Sequence, residues 1–408
     1  MRIAFLSVSS EIGGSETSLL LLVRNIRRMK PDWQLTVVVP REGPLARRTR
    51  EADVDTRVLA LPASLARLGE AGLGGGGAAL ARRGAALMAA AGSVGSYKRA
   101  LAALLADIGA DVVHTNGFKL HILGTWAASE EVPVVWHVHE YVSPRPITRT
   151  LLKRHASRAA AIVANSRSVA ADLTQVFGRG VPVRTVYNAV DLDEFSPDGE
   201  RVDLDGLSGL APAPAGTVRV GLMATFGRWK GHEPFLRAMQ RVTRTGSVRG
   251  YIIGAPLYDT DGSQYTMDEV RNLAGELGIA DRIGFTGFVE RPAPILRALD
   301  VVVHASTQPE PFGLVIAEGM ACGRAVIVSR AGGAAEIVDD GVTALTHVPG
   351  NVDDLSAAIE RCATNSELRR QLGIRARQAA TMTFDPTTFA GAFADVYCQV
   401  RPAAAGAR

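Results

Sequence analysis

Cysteine is scarce. Cys322, Cys362 and Cys398 are the only three in 408 residues, too few for a disulfide framework. None falls in a CxxC or Cys/His spacing, which argues against structural zinc and for a reducing compartment. Long apolar runs are missing too. Nowhere do about 18 apolar residues pass without a charge, so no transmembrane helix is predicted. The apolar stretch of MRIAFLSVSSEIGG breaks at Ser7, too short for a signal-peptide core, and a cytoplasmic location is expected. Charge of one sign is also lacking: 45 Lys+Arg against 41 Asp+Glu leaves +4, dispersed along the chain. Nucleic-acid binders usually carry a concentrated basic stripe, and none is evident, so no nucleic-acid partner is expected.

What is present is ordinary globular composition, 47% hydrophobic and 21% charged, in a chain long enough for two domains and a large core. Short β-rich runs alternate with helical patterns. Ile3–Val8 is a continuous apolar run suited to a buried strand, and Glu16–Met29 follows at helical spacing. Strands are expected at Leu35–Val39, Thr56–Leu61, Val112–His114, Val134–Val138, Ala161–Ala164 and Arg184–Val186. Residues 191–216, with Pro197, Gly199 and the APAPAG run, look like a linker. The pattern then restarts with strands at Val218–Met223, Val248–Gly254, Arg282–Phe285, Val301–His304 and Ala325–Ser329. This alternation predicts an α/β fold of two Rossmann-like, doubly wound parallel-sheet domains facing a cleft, with ligands at the carboxyl ends of the strands. Leu61–Ala110 breaks the rhythm. It is rich in Ala and Gly, carries Arg82, Arg83, Lys98 and Arg99, and reads as one or two inserted helices. A scaffold role is the plainer reading; a membrane or acceptor contact is the other.

Four motifs carry chemistry. Gly13-Gly14 stands between the first strand and helix, where glycine lets backbone approach a phosphate; a plain tight turn is the alternative. It is neither GxGxxG nor a Walker sequence. Gly227-Arg228-Trp229-Lys230-Gly231 places two cations between glycines at a strand-to-helix turn, which suits a diphosphate. Glu310-Pro311-Phe312-Gly313-Leu314 leads into a helix containing Glu318, an acid in apolar surroundings that sugar hydroxyls would satisfy. The alternative for Glu318 is a bond to neighbouring backbone. Trp136-His137-Val138-His139-Glu140, with His114 on the preceding strand, is read as a polar acceptor site; an H-x-H metal site lacks further ligands. Asp191-Leu192-Asp193 reads as a turn, and no paired carboxylates stand as nucleophile and acid, which disfavours glycosidase chemistry.

Together, Gly227–Lys230 and Glu310–Glu318 resemble a family 4 (group 1) glycosyltransferase of the GT-B fold. The similarity extends through GGSE at Gly13–Glu16, VVHTNGFK at Val112–Lys119, VVWHVHEY at Val134–Tyr141 and IVANS at Ile162–Ser166. It continues through VYNAVDLDEFSP at Val186–Pro197, GFV at Gly287–Val289 and GGAAEIV at Gly332–Val338. The resemblance implies an acceptor-binding domain over 1–190, a linker or hinge over 191–216, and a donor-binding domain over 217–384. Residues 385–408 would form a helix near Pro386–Val400 that crosses back to the first domain, then a tail.

The resemblance also implies a retaining, metal-independent transfer from a nucleoside diphosphate sugar, a UDP- or GDP-sugar, to a hydroxyl, with no cofactor. The acceptor would be a small molecule, a lipid-linked group or a glycan. Cell-envelope glycans and natural-product glycosides are the expected contexts, and peripheral membrane contact through the N-terminal half stays open. Arg228, Lys230, Glu310 and His139 would act in catalysis. Glu318 would hold the ribose, Glu310 the sugar, Arg228 and Lys230 the pyrophosphate. Gly13, Gly14, Val289, Phe312, Gly313 and Leu314 complete the expected donor site. His114, Asn116, Lys119, His137, His139 and Glu140 form the expected acceptor site. Many relatives carry histidine where this chain has Asn116, which cannot titrate. The competing readings are a sugar-nucleotide epimerase of the same architecture and a non-catalytic sugar-nucleotide-binding subunit.

Overall fold

A computed structural model describes residues 1–66, 77–244, 247–256 and 262–401, with side chains of 66–91 outside the described set. It divides into two compact units, Met1–Ala189 with the C-terminal segment from Pro386, and Val190–Asp385. The first runs β1 (Arg2–Ser7), α1 (Gly14–Met29), β2 (Gln34–Val39), α2 (Pro44–Glu51), β3 (Asp55–Val58), α3 (Ala63–Ala66) and α4 (Gly77–Ile108). It continues with β4 (Val112–Asn116), α5 (Phe118–Ala127), β5 (Val134–Val138), α6 (Pro146–His155), β6 (Ala161–Ala164), α7 (Arg167–Phe177) and β7 (Val183–Thr185). Its parallel sheet has the order β3-β2-β1-β4-β5-β6-β7. The stretch Leu61–Ala110 thus contributes a four-residue helix and one long helix; its glycine run and the Arg82 and Arg83 side chains lie largely outside the described residues.

Helices cover both faces of this sheet, which is why its central strands are buried almost throughout, the polar His114, Thr115, Asn116 and His137 included. Alternate residues of β1 serve opposite layers: Ala4 and Leu6 join the cluster around Trp136, while Ile3 and Phe5 join the cluster around α1.

The second unit runs α8 (Leu204–Leu207), β8 (Val218–Met223), α9 (His232–Val242), β9 (Val248–Ile253), α10 (Met267–Glu276), β10 (Ile283–Gly287) and α11 (Pro292–Ala298). After these come β11 (Val301–His304), α12 (Leu314–Ala321), β12 (Ala325–Ser329), α13 (Gly332–Glu336), β13 (Leu345–His347), α14 (Val352–Thr364) and α15 (Ser366–Thr383). Its sheet has the order β10-β9-β8-β11-β12-β13. The last helix, α16 (Pro386–Val400), belongs to the first unit, where Phe389, Phe393 and Tyr397 enter the core beside α1. No described helix is long and apolar enough to cross a membrane.

Residues 191–216, expected as a linker, are packed into the second unit. Asp205 is buried and accepts from Arg249 Nη1 and Tyr251 Oη at 2.6 Å each and from the Ala213 amide at 2.9 Å. Burial pushes its carboxyl up, but the Tyr251, Ala213 and Arg249 contacts outweigh that and hold it at about 2. Arg297 bonds the carbonyls of Glu194 and Glu200, and Arg377 bonds that of Phe195. The Pro-rich composition hides these anchors because their partners lie far along the chain.

Candidate functional site

In both sheets the strand order reverses beside the first strand, between β1 and β4 and between β8 and β11. The crevice beyond such a switch point is where open α/β sheets bind ligands. The second unit's switch point collects the strongest sequence candidates. After β8 the chain makes a 3-10 turn over Arg228–Lys230 and enters α9 through Gly231. Gly231 has φ +82°, and a Cβ there would sit 1.9 Å from the Ala305 carbonyl oxygen, so only glycine fits. That close approach brings Lys230 to the end of β11. Its Nζ donates to both carboxylate oxygens of Glu310 at 2.9 Å and lies 4.0 Å from the Trp229 ring centroid.

Glu310 has further partners that the sequence reading did not single out. Ser306 Oγ donates at 3.0 Å, and His304 Nε2 lies 3.3 Å away. His304 is held through its carbonyl by His347 at 3.1 Å, and the Gly333 amide donates to the Glu310 carbonyl at 2.7 Å. Burial pushes the Glu310 carboxyl up, but the Lys230 charge and the His304 contact prevail and hold it at about 2. His304 and Ser306 were legible in principle, since they stand at the carboxyl end of β11 just before Glu310.

Glu318 is the opposite case. It lies in α12, buried, and no protein group among the described residues hydrogen-bonds its carboxyl. The backbone bond considered as its alternative is not made. Burial, and next the Glu194 charge, push it up to about 8. Gly313 caps α12 at φ +90°, and Leu314 opens the helix half-buried. Phe312 is turned into the core against Phe384, ring centroids 5.8 Å apart, so any part it takes in a donor site falls to its backbone. Val289 lies just past the end of β10, half-buried.

Arg228 is exposed but not free. Its Nη2 bonds Glu269 at 2.9 Å, its Nε bonds the Gly262 carbonyl at 2.9 Å, and its guanidinium lies 4.3 Å over Tyr265. Glu269 also closes a capping box with Thr266 at the start of α10. Neither Glu269 nor Tyr265 carries a motif, so sequence spacing offered no signal for them.

The first unit holds the remaining candidates. The Gly13 amide is taken by the Glu16 carboxylate at 3.2 Å, which Ser15 Oγ also bonds at 2.9 Å. Gly14 faces open space, with nothing within 4 Å of an added Cβ. His114, expected in an acceptor site, is a core residue: Tyr397 Oη lies 2.8 Å from its Nδ1 and it packs on Phe5 and Phe393. Burial pushes His114 and His139 down to about 3 and His137 well down, so all three are neutral. The His137 and His139 rings have centroids 3.9 Å apart and are tilted by 44°, and both ring nitrogens of His139 are buried without a protein partner among the described residues. Asn116 Nδ2 donates to the Ser15 carbonyl at 3.3 Å, leaving Oδ1 buried without a partner among the described residues. Lys119 is half-buried in the first turn of α5, and Glu140 is exposed in an ion pair with Arg145. Among the described residues no three His, Cys, Asp or Glu side chains are grouped to hold a metal. Asp191 Oδ1 caps the amides of Asp193 and Glu194, the turn expected there.

Two parallel-sheet α/β units, the second with a partly buried lysine–glutamate pair at its switch point, place the protein in the GT-B fold class. Residues 213–379 match the family model of group 1 glycosyl transferases, and residues 12–194 match that of glycosyltransferase family 4. The D-inositol 3-phosphate glycosyltransferase of Xylanimonas cellulosilytica is 30% identical over 319 residues, covering 72% of this chain and 73% of that one. The protein of that name from Nocardiopsis dassonvillei is 33% identical over 242 residues, covering 58% of this chain and 54% of its own length. The alignments thus span about half to three-quarters of these relatives. Anabaena HepE, solved in complex with UDP-glucose, has a TM-score of 0.77 at 23% identity, with 98% of this chain and 100% of that one covered. The chain belongs to the group 1 (family 4) glycosyltransferases.

Proposed function

We propose that the protein transfers a hexose-type sugar from a nucleoside diphosphate sugar to an acceptor hydroxyl, retaining the anomeric configuration and needing no metal ion. The observation that carries this reading is the pairing of Lys230 with Glu310, followed in α12 by a buried Glu318 whose carboxyl no protein group among the described residues bonds. A carboxyl buried without a partner is costly unless a ligand supplies donors, and the two ribose hydroxyls do so. Lys230, with Arg228 from the same turn, neutralises the diphosphate as negative charge develops on it. The amides opening α12 at Leu314 add a helix N-terminus to the same task, and backbone near Val289 meets the base. Glu310, held ionised, accepts hydrogen bonds from sugar hydroxyls. Gly14, facing open space, leaves room for a phosphate to approach its backbone. His139 and Asn116 serve the acceptor side. Both stay neutral, so neither holds the departing acceptor proton as a cation.

Because HepE was solved with UDP-glucose, a UDP-sugar is the first donor to test, with a GDP-sugar next. The relatives' names make a phosphorylated polyol the first acceptor class to test. Cell-envelope glycan or natural-product glycoside synthesis in the cytoplasm is the proposed setting. A thermal-shift screen of UDP, GDP, dTDP and ADP sugars identifies the donor, since a ligand of the native state raises its midpoint. Product anomers are then read by proton NMR in excess EDTA. Full activity with the donor's configuration is expected. Clean inversion, or loss of activity in EDTA reversed by a divalent ion, overturns the mechanism. Epimer formation from donor alone identifies an epimerase instead, and binding without turnover a non-catalytic subunit.

A further inference from the structure

α6 has two unlike faces. Leu152 is fully buried and His155 meets Trp126 edge-on with centroids 5.3 Å apart, so the inner face is fixed to the first unit. The outer face is not what a solvent-facing helix needs. Ile147 is 72% exposed and Leu151 is 41% exposed. With Arg154 they fall at i, i+4 and i+7, one stripe of the helix. At 3.6 residues per turn Arg149 and Lys153 stand on the other edge of the same outer arc. Arg158 closes the 3-10 turn that follows.

Arg149, Lys153, Arg154 and Arg158 are all exposed, and none has a carboxylate partner among the described residues. No Asp or Glu occurs between Glu140 and Asp172. The overall charge of +4 hides this local concentration, which emerges only when the helix is built. Arg145 is not part of it, since Glu140 and the Phe118 ring already engage it.

Unpaired cations alone suit any polyanion, and exposed apolar side chains alone suit any protein partner. Their union on one short helix, with the apolar pair along one edge, matches the boundary between phosphate headgroups and acyl chains. We infer that α6 docks the first unit onto an anionic membrane surface. Ile147 and Leu151 enter the headgroup–acyl boundary, and Arg149, Lys153, Arg154 and Arg158 meet lipid phosphates. Ten helical residues with two exposed apolar side chains make a reversible, salt-sensitive contact, not an anchor.

The test is flotation of the full chain with vesicles of phosphatidylcholine, with and without phosphatidylglycerol. Binding is expected only to the anionic vesicles at low salt, and it disappears at high salt. The combined Lys153→Ala, Arg154→Ala and Arg158→Ala variant should partition about 100-fold less. The combined Ile147→Ser and Leu151→Ser variant should lose at least tenfold with its charge intact. These side chains are on the surface, so an unchanged circular dichroism spectrum and melting temperature are expected of both. No flotation with anionic vesicles, or flotation that neither variant weakens, overturns the proposal. So does full binding by the Ile147/Leu151 variant, which would mark a plain polyanion patch such as a nucleic-acid contact. Vesicle binding needs neither donor nor acceptor, so its failure leaves the transferase reading standing, and the reverse also holds.

Discussion

Glu318 holds its proton to about pH 8 because burial disfavours the charge, the Glu194 carboxylate adds to this, and no group among the described residues offsets it. Its ordinary value is 4.5, so between these limits the folded chain keeps a proton that the unfolded chain has lost. Stability therefore falls as pH rises from about 4.5 to about 8. Glu318→Gln removes that slope: melting curves should coincide at pH 5, with the variant melting higher at pH 8. The same change should weaken nucleotide binding by about 1.5–3 kcal/mol, read by calorimetry, because a charge-assisted acceptor is lost. Parent affinity should rise from pH 6 to pH 8 with proton release, seen as a buffer-dependent enthalpy, and the variant should show neither. Unchanged affinity in Glu318→Gln would remove this residue from the site. Glu310 behaves oppositely. Its carboxyl is held at about 2, below its ordinary 4.5, so its contribution is present above pH 4.5 and lost as pH falls toward 2. Arg228→Ala and Lys230→Ala should each lower kcat by on the order of 10²-fold, since the lost charge matters most as the bond breaks. Arg228→Lys should recover only part, because an ammonium cannot bond Glu269 and Gly262 and stack on Tyr265 at once.

At the scale of an element, the connection from β8 into α9 sets the position of both cations. Trp229 accepts from the Thr307 amide at 2.7 Å through its carbonyl, and Gly231 lies against Ala305, so the turn is keyed to the loop after β11. Gly231→Ala must either clash with that carbonyl or move the turn, and its positive φ adds strain of about 1–3 kcal/mol. Denaturant unfolding should show a loss of at least that size. Donor affinity should fall as well, because Lys230 would move away from Glu310. Gly14→Ala is the contrasting case. Its added Cβ meets nothing, so stability should hold within about 0.5 kcal/mol while the donor KM rises. An unchanged KM would show that phosphate does not approach there.

At the scale of the whole molecule, the chain leaves its first unit at Ala189 and returns to it at Pro386. The returning helix is structural: Phe389, Phe393 and Tyr397 complete the core layer over α1, and Tyr397 bonds the buried His114 ring. A chain ending at residue 385 should fail to give a soluble, cooperatively melting first unit, because that layer would be open to water. Tyr397→Phe is milder. It leaves His114 Nδ1 buried without a partner and should cost about 1–3 kcal/mol in denaturant unfolding.

Much of this was legible from residue order alone. Strands Val134–Val138, Ala161–Ala164, Val218–Met223, Val301–His304 and Ala325–Ser329 and helix Pro386–Val400 have the bounds that apolar periodicity or family resemblance predicts. Periodicity is a local property, set by which faces a segment must bury. Arg228, Lys230, Glu310 and Glu318 stand out in the sequence as candidates, the first three as charges in glycine-containing loops after strands and Glu318 as an acid on an apolar helix face. What order could not reveal was the partner of each group. Lys230 and Glu310 stand 80 residues apart, and only the parallel crossover from β8 to β11 makes them neighbours. Asp205 reads as one acid in a Pro-rich linker until Arg249 and Tyr251 reach it from β9. His114 reads as a site residue until α16 covers it. The sequence by itself determined most of the elements and which side chains are candidates for the site, since these follow from local pattern and residue chemistry. Tertiary structure alone decided which acid is ionised, which histidine is core and which helix face is left without a partner, since burial and through-space contact depend on segments far apart in the chain.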